Sequence, residues 1–128
     1  MTYLVDSDWV ADYLDGRQLA VALLARHTPS GIAISLVTYG EIVDGIYYGH
    51  DPKRAEATFR AFLRGVPVLP LNWSVMQRFG RIRGELRGRR LLIPDPDPLI
   101  AATALHNQII LISRNRRHFE CIPDLQLL

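Results

Sequence analysis

Short apolar runs alternate with longer segments of helical periodicity along this chain. Four runs are apolar, favour β-structure and end at polar, glycine or proline residues, which predicts strands over residues 3–5, 32–35, 66–69 and 109–112. A further apolar run predicts a terminal strand over residues 125–128. The run at 109–112 is nearly continuous in apolar residues, which is typical of a strand buried on both faces.

The segments between these runs carry apolar residues at intervals of three and four, the pattern of a helix with one buried face. They predict helices over residues 9–14, 19–26, 37–48, 52–63, 73–86 and 98–105. We expect Thr38 to cap the third of these helices, with Glu41 three residues later. We expect Asp97 to cap the last one, because Pro98 suits the first position of a helix.

This alternation of strands and helices predicts an α/β fold, a sandwich with a mainly parallel central sheet. A chain of 128 residues should bury about two-thirds of its unfolded surface, which is enough for one hydrophobic core. The sequence has no repeat, low-complexity run or charged tail that would mark a second unit. We therefore predict a single domain over residues 1–128.

The apolar runs and the cysteine content bear on where the protein acts. The one cysteine, Cys121, leaves no intrachain disulfide to form, and no secretion signal pattern is evident. The apolar runs are far shorter than the roughly 20 residues that a membrane-spanning helix needs. We expect a cytoplasmic protein without a membrane-spanning segment.

The basic residues are almost all arginine, which bears on the kind of molecule that the protein could bind. Fourteen of the 15 basic residues are arginine, and the net charge is +2. Six of them lie within residues 78–90, and Arg114, Arg116 and Arg117 form a second group. The planar guanidinium fork suits phosphate, so these groups could bind RNA. A solvated helix face is the alternative explanation of either group.

Polar oxygen ligands follow the predicted strands or open the predicted helices. Asp6 comes directly after the first strand, and Ser113 and Asn115 follow the buried strand at 109–112. Glu41 and Asp97 lie near helix starts that would pack around the same edge. Since ligands of open parallel sheets bind beyond the carboxyl ends of the strands, these side chains are candidates for one site.

Three carboxylates in one site need a positive charge between them. Held about 5 Å apart they would repel by roughly 3 kcal/mol per pair at an effective dielectric of 20. Oxygen ligands favour Mg²⁺ or Mn²⁺, and the four histidines lack the spacing of a zinc site. A divalent ion could activate water for attack on a phosphodiester, which is nuclease chemistry. Helix capping by the aspartates and by Glu41, and a turn at Asn115, remain the alternative explanations.

Four segments together resemble the motifs of PIN domains, and in particular those of VapC toxins from toxin–antitoxin pairs. They are Tyr-Leu-Val-Asp-Ser at residues 3–7, Ile-Ser-Leu-Val-Thr-Tyr-Gly-Glu-Ile at 34–42, Asp-Pro-Leu-Ile-Ala-Ala-Thr-Ala-Leu at 97–105 and Leu-Ile-Ser-Arg-Asn-Arg-Arg-His-Phe at 111–119. Their order, their spacing and their nearly full coverage of the chain all agree, which is more specific than any single motif.

The resemblance implies a three-layer α/β/α sandwich and a metal-dependent endoribonuclease. Asp6, Glu41 and Asp97 would be the catalytic acids and the ligands of Mg²⁺ or Mn²⁺. Asn115 stands where some PIN domains have a fourth aspartate, and Ser113 stands where threonine is usual, so both are catalytic candidates. A small antitoxin, an RNA substrate and a second copy of the chain in a homodimer would be the partners.

Three other functions compete with this interpretation. A signalling receiver domain also clusters aspartates around Mg²⁺, but it would need a lysine late in the chain, and the only lysine here is Lys53. A non-catalytic RNA- or protein-binding module would lose the acidic ligands, and here three remain. A housekeeping RNA-processing nuclease is the alternative within the enzyme class. Asp8 and Asp95 are additional acids without an assigned role.

Overall fold

The computed structural model describes residues 2–128, and its centre is a four-stranded parallel sheet. The strands are β1 (Tyr3–Val5), β2 (Ile32–Ser35), β3 (Val68–Leu69) and β4 (Ile110–Ile112), in the order β3-β2-β1-β4. In the register of the sheet, Tyr3 lies opposite Ile32 on one side and Ile110 on the other. The prediction of a mainly parallel sheet is confirmed, since every strand pair in the described part is parallel.

Helices cover both faces of this sheet. They are α1 (Ser7–Leu14), α2 (Gln18–His27), α3 (Leu36–Tyr48), α4 (Pro52–Leu63), α5 (Trp73–Gly88), α6 (Pro96–Asn107) and the short α7 (Arg116–Glu120). A single 3₁₀ turn, Thr28–Ser30, follows α2. The predicted helices all form, with ends that differ by a few residues. Helix α7 was not predicted, because five residues are too few to show a helical period.

Two hydrophobic clusters, one on each face of the sheet, make up the core. Leu4 packs into the cluster that includes α5, α6 and α7, whereas its neighbour Val5 packs into the cluster that includes α1 to α4. Successive side chains of a strand point to opposite faces, so each strand contributes to both clusters. The predicted three-layer α/β/α sandwich is therefore confirmed.

Two predicted helix caps are wrong. The side chain that caps α3 is Ser35, whose Oγ accepts a hydrogen bond from the Thr38 N–H at 3.0 Å. Helix α6 begins at Pro96, so Asp97 lies inside its first turn and is buried. Both Pro96 and Pro98 fit that turn because its N–H groups have no partner within the helix. The sequence alone therefore does not show whether the helix begins at Pro96 or at Pro98.

The C-terminal segment pairs with the sheet more briefly than predicted. In place of a strand over residues 125–128 there is one parallel bridge, between Leu111 and Leu127. The Leu111 N–H donates to the Gln126 carbonyl at 2.9 Å, and the Leu128 N–H donates to the Leu111 carbonyl at 3.0 Å. These bonds cover the free edge of β4. None of the helices between residues 2 and 128 is long and apolar enough to cross a membrane.

Candidate active site

Asp6 lies at the carboxyl end of β1, where its backbone N–H and its side chain make three hydrogen bonds. Its N–H donates to the Ile112 carbonyl at 3.0 Å, which anchors it to the end of β4. Its Oδ1 accepts from the Ser7 N–H at 2.7 Å, so it caps α1, and its Oδ2 accepts from Ser113 Oγ at 2.6 Å. With only 4% of its surface exposed, this carboxylate has a fixed orientation.

The loop after β4 connects Ser113 to a second aspartate. Ser113 Oγ accepts a hydrogen bond from the Asn115 N–H at 3.0 Å. The Asn115 side-chain amide lies 3.5 Å from Asp8 Oδ2 and donates to it. The structure thus brings Asp6, Ser113 and Asn115 together, as predicted, and adds Asp8, which the sequence left without a role.

Asp97 reaches the same edge from α6 and contacts a histidine that sequence reasoning missed. Its Oδ2 lies 2.5 Å from His118 Nδ1, and His118 lowers the pKa of Asp97, as an N–H donor to a carboxylate does. Asp97 is 8% exposed and sits in the first turn of α6, where the helix dipole favours negative charge. The signal for His118 was weak, because its position depends on the short helix α7.

Glu41 is linked to the site through a serine. It is exposed on α3, and its Oε1 accepts a hydrogen bond from Ser7 Oγ at 2.5 Å. The same hydroxyl lies 3.2 Å from Thr38 Oγ1. Since Ser7 directly follows Asp6, Glu41 borders the buried aspartates from the solvent side. We refer to Asp6, Asp8, Asp97 and Glu41 as the acidic site.

The electrostatics of the acidic site favour a bound cation. Burial raises the pKa of the Asp6 carboxyl above its ordinary value of 3.8, and the charges of Asp97 and Asp8 raise it further. The hydrogen bonds from Ser113 and Ser7 lower that pKa in part. Burial also raises the pKa of Asp97, with His118 acting in the opposite direction. A cation would relieve both the desolvation and the repulsion.

The donor set has the chemistry of a site for a hard divalent ion. Mg²⁺ is usually bound through one or two carboxylates and keeps several waters. Asp6 and Asp97 fit that description as buried carboxylates, and the charge of Asp97 raises the pKa of Asp6. Among residues 2–128, no three histidine, cysteine, aspartate or glutamate side chains are arranged to ligate one ion directly. Direct ligation by Glu41 as the third ligand stays a prediction.

Comparison with known proteins assigns the family. A family model described as PIN domain matches residues 3–124. Ribonuclease VapC19 of Mycobacterium tuberculosis is 32% identical over 126 residues, which cover 96% of this chain and 96% of VapC19. This chain belongs to the PIN domain family and, within it, to the VapC proteins.

Solved structures of similar proteins have the same fold. VapBC2 from Rickettsia felis, in a crystal structure bound to a DNA fragment from their promoter, matches with a TM-score of 0.91 and 22% identity, over 100% of this chain and 98% of that one. A toxin–antitoxin complex from Klebsiella pneumoniae matches with a TM-score of 0.79 and 28% identity, over 99% of this chain and 96% of that one. The first match supports the PIN fold alone, because its identity is low.

The arginines after β4 are held differently from one another in this PIN domain. Arg114 Nη1 lies 2.5 Å from Asp12 Oδ2, and its guanidinium carbon lies 3.9 Å from the centre of the Trp9 ring. Arg116 Nη1 donates to the Leu128 carbonyl at 2.5 Å. Arg117 is exposed and takes part in no ion pair of residues 2–128.

Arg114→Ala is expected to lower the free energy of unfolding by about 1 kcal/mol, because it removes a cation–π contact and a partly exposed ion pair. Arg117→Ala is the matched control, and we expect its stability to equal that of the wild type. Urea unfolding followed by circular dichroism measures both variants. Equal midpoints for the two variants would contradict a structural role for Arg114.

Proposed function

We propose that this chain is an Mg²⁺- or Mn²⁺-dependent endoribonuclease that acts as the toxin of a toxin–antitoxin pair. The observation that carries the proposal is the acidic site at the sheet edge. Asp6 and Asp97 are buried there, and the charge of Asp8 raises the pKa of both. Family membership supports the same chemistry, since the relative VapC19 is named a ribonuclease.

In this proposal the residues of the acidic site hold and orient the reacting groups. A bound divalent ion would stabilise the negative charge that develops on the phosphodiester and would acidify water. Asp6 and Asp97 would hold that ion, and the bonds from Ser113 and His118 keep the two carboxylates in place. Glu41, on the solvent side, would be the third ligand of the ion.

RNA is the proposed substrate, and exposed arginines beside the acidic site are its proposed contacts. Arg117 is available for a phosphate, whereas Arg114 and Arg116 would have to exchange intramolecular contacts for RNA contacts. Binding by all three arginines therefore stays a prediction. Because the RNA that this enzyme would cut is found in the cytoplasm, we also propose that the chain is cytoplasmic.

A cleft of about 490 Å³ next to the acidic site supports an antitoxin partner. It lies between α1, α3 and α4, and its lining includes Leu14, Ile42 and Ile46 as well as Glu41. An amphipathic helix could place its apolar face in this cleft and direct an arginine to the carboxylates. The similar Klebsiella pneumoniae structure is described as a toxin–antitoxin complex.

Exposed aromatic side chains support the proposed homodimer. Among the aromatic residues on the helices, Tyr39, Tyr47, Tyr48 and Trp73 are exposed, whereas Trp9, Tyr13 and Phe79 are half-buried. Tyr48 is 93% and Trp73 is 83% exposed. Large exposed aromatic groups favour association with another protein surface. Light scattering on the purified protein tests for the dimer.

Cleavage of structured RNA tests the enzymatic part of the proposal. Purified protein would be incubated with tRNA transcripts and ribosomal RNA hairpins, in Mg²⁺, in Mn²⁺ or in chelator, and the cut ends would be mapped. We expect internal cleavage that depends on the divalent ion. Intact RNA under every condition, with the protein shown to be folded, would overturn the proposal.

Co-expression with the product of a neighbouring small gene tests the toxin assignment. We expect that product to form a complex with the chain and to suppress cleavage in competition with Mg²⁺ or Mn²⁺. A monomeric nuclease that is equally active with and without that product would favour the housekeeping RNA-processing enzyme instead.

A further inference from the structure

Helix α5 ends in an arginine whose backbone conformation normally favours glycine. The Leu91 N–H donates to the Leu86 carbonyl at 2.8 Å, and the Arg90 N–H donates to the Arg87 carbonyl at 3.0 Å. This is the Schellman arrangement, in which the residue just past the helix is left-handed. Arg90 occupies that position with a φ of 58°.

The side chain of Arg90 works against the stability of this turn. A Cβ atom is disfavoured in the left-handed region, which is why glycine is common there. A cation near the end of a helix is favoured by the helix dipole, but Arg87 and Arg89 already supply that charge. Arg90 therefore places a positive charge at the end of α5 at a cost in backbone strain.

Contacts tie the end of α5 to α6 and α7, the helices on the Asp97 side of the acidic site. Arg83 forms an ion pair with Asp95, which precedes α6 and lies two residues before Asp97. Arg89 Nη1 donates to the carbonyl of Cys121 at 2.8 Å, directly after α7, the helix whose imidazole contacts Asp97. The arginines at the end of α5 therefore lie on the Asp97 side of the acidic site.

The positive charge at this end of α5 is not balanced by acids. Asp95 is paired with Arg83, and Glu85 lies 3.5 Å from Arg89. Arg87 and Arg90 are both exposed, and within residues 2–128 neither is part of an ion pair. Two unpaired guanidinium groups thus face solvent at the end of α5.

We propose that the end of α5, through Arg87 and Arg90, binds the phosphate backbone of RNA on the Asp97 side of the acidic site. This inference rests on the proposed function, because it concerns the same RNA. The carboxylates of the site repel a polyanion, so a strand that enters it needs positive charge close by. A guanidinium fork matches phosphate geometry, and each contact also releases counterions.

The variant Arg90→Gly tests RNA binding by Arg90 separately from the stability of the fold. The change relieves the left-handed backbone, so we expect a higher melting temperature than in the wild type. Binding of a fluorescein-labelled tRNA transcript, measured by anisotropy in EDTA, should weaken roughly tenfold at 0.1 M salt. The slope of log K against log salt should fall by about one. Arg87→Ala should weaken binding similarly.

Gln108→Gly is the matched control. Gln108 is also left-handed, with a φ of 55°, but it is uncharged and lies at the far end of α6 from Asp97. We expect it to raise the melting temperature and to leave tRNA binding unchanged. If Arg90→Gly folds poorly, Arg90→Asn repeats the test, since asparagine tolerates this conformation.

The outcomes separate this inference from the proposed function. Unchanged tRNA binding by Arg90→Gly and by Arg87→Ala, with RNA still cut by the wild type, overturns the inference and leaves the proposed function standing. Weakened binding of the antitoxin with unchanged binding of tRNA overturns it as well, because the surface would then belong to a protein partner. A wild type that neither binds nor cuts RNA overturns both.

Discussion

Asp6→Asn is expected to lower the rate of RNA cleavage by about three orders of magnitude, because several kcal/mol of transition-state stabilisation depend on the divalent ion. The substitution keeps the size of the side chain and its Oδ1, which accepts from the Ser7 N–H. The hydroxyl of Ser113 can turn and accept from the new amide. We therefore expect a folded and inactive protein, measured by single-turnover cleavage and by circular dichroism.

The stability of Asp6→Asn should rise although its activity falls. The pKa of Asp6 in the folded protein is raised above 3.8, chiefly by burial, so the folded state binds more protons than the unfolded chain between the two pKa values. The free energy of unfolding of the apo wild type then falls as the pH rises through that interval. Asp6→Asn should remove the contribution of Asp6, leave that of Asp97, whose pKa burial also raises, and be more stable at neutral pH.

Asp44→Asn is the control for both effects, because it makes the same chemical change at an exposed position of α3. We expect wild-type cleavage and a wild-type pH profile from it. A folded Asp6→Asn protein that cuts RNA at the wild-type rate would remove Asp6 from the site and, with it, the basis of the proposed function.

Mn²⁺ is expected to raise the melting temperature of the chelator-treated protein by about 10 °C at one hundred times its dissociation constant. Ligand binding at that concentration contributes about 2.7 kcal/mol, and a chain of this size gains roughly 4 °C for each kcal/mol. The physical reason is that the ion neutralises carboxylates whose pKa values burial has raised. Calorimetry across a Mn²⁺ titration measures the shift.

Asp97→Asn should abolish most of this metal-dependent shift, and Asp44→Asn should retain it. Glu41→Gln tests the third ligand, since Glu41 contacts the site through Ser7. A full shift in Glu41→Gln would make Glu41 an acid that acts without binding the ion. No shift in the wild type, together with cleavage in chelator, would contradict a metal-dependent mechanism.

Much of the fold could be predicted because its signals are local. The apolar run of β4 and the helical periods of α3 and α5 are visible in stretches of a few to sixteen residues. The predicted helix caps were wrong where two nearby residues suit the same position. Prolines at 96 and 98 both suit a first helical turn, and Ser35 and Thr38 both suit a cap.

The sequence by itself determined that Asp6 and Ser113 meet at the sheet edge. Parallel strands end on the same side, so a residue that directly follows β1, such as Asp6, must lie near Ser113, which follows β4. That conclusion needs only the order of strands and helices and the direction of the chain. It depends on no detail of side-chain packing.

Only the tertiary structure decided what each of these side chains touches. The bond of Glu41 to Ser7 joins residues 34 apart in sequence, and the contact of His118 with Asp97 joins residues 21 apart. Similarly, Arg114 is held by Trp9 and Asp12, whereas Arg90 faces solvent. Such pairings follow from how the helices pack on the sheet, and helix packing has no short-range signature in the chain.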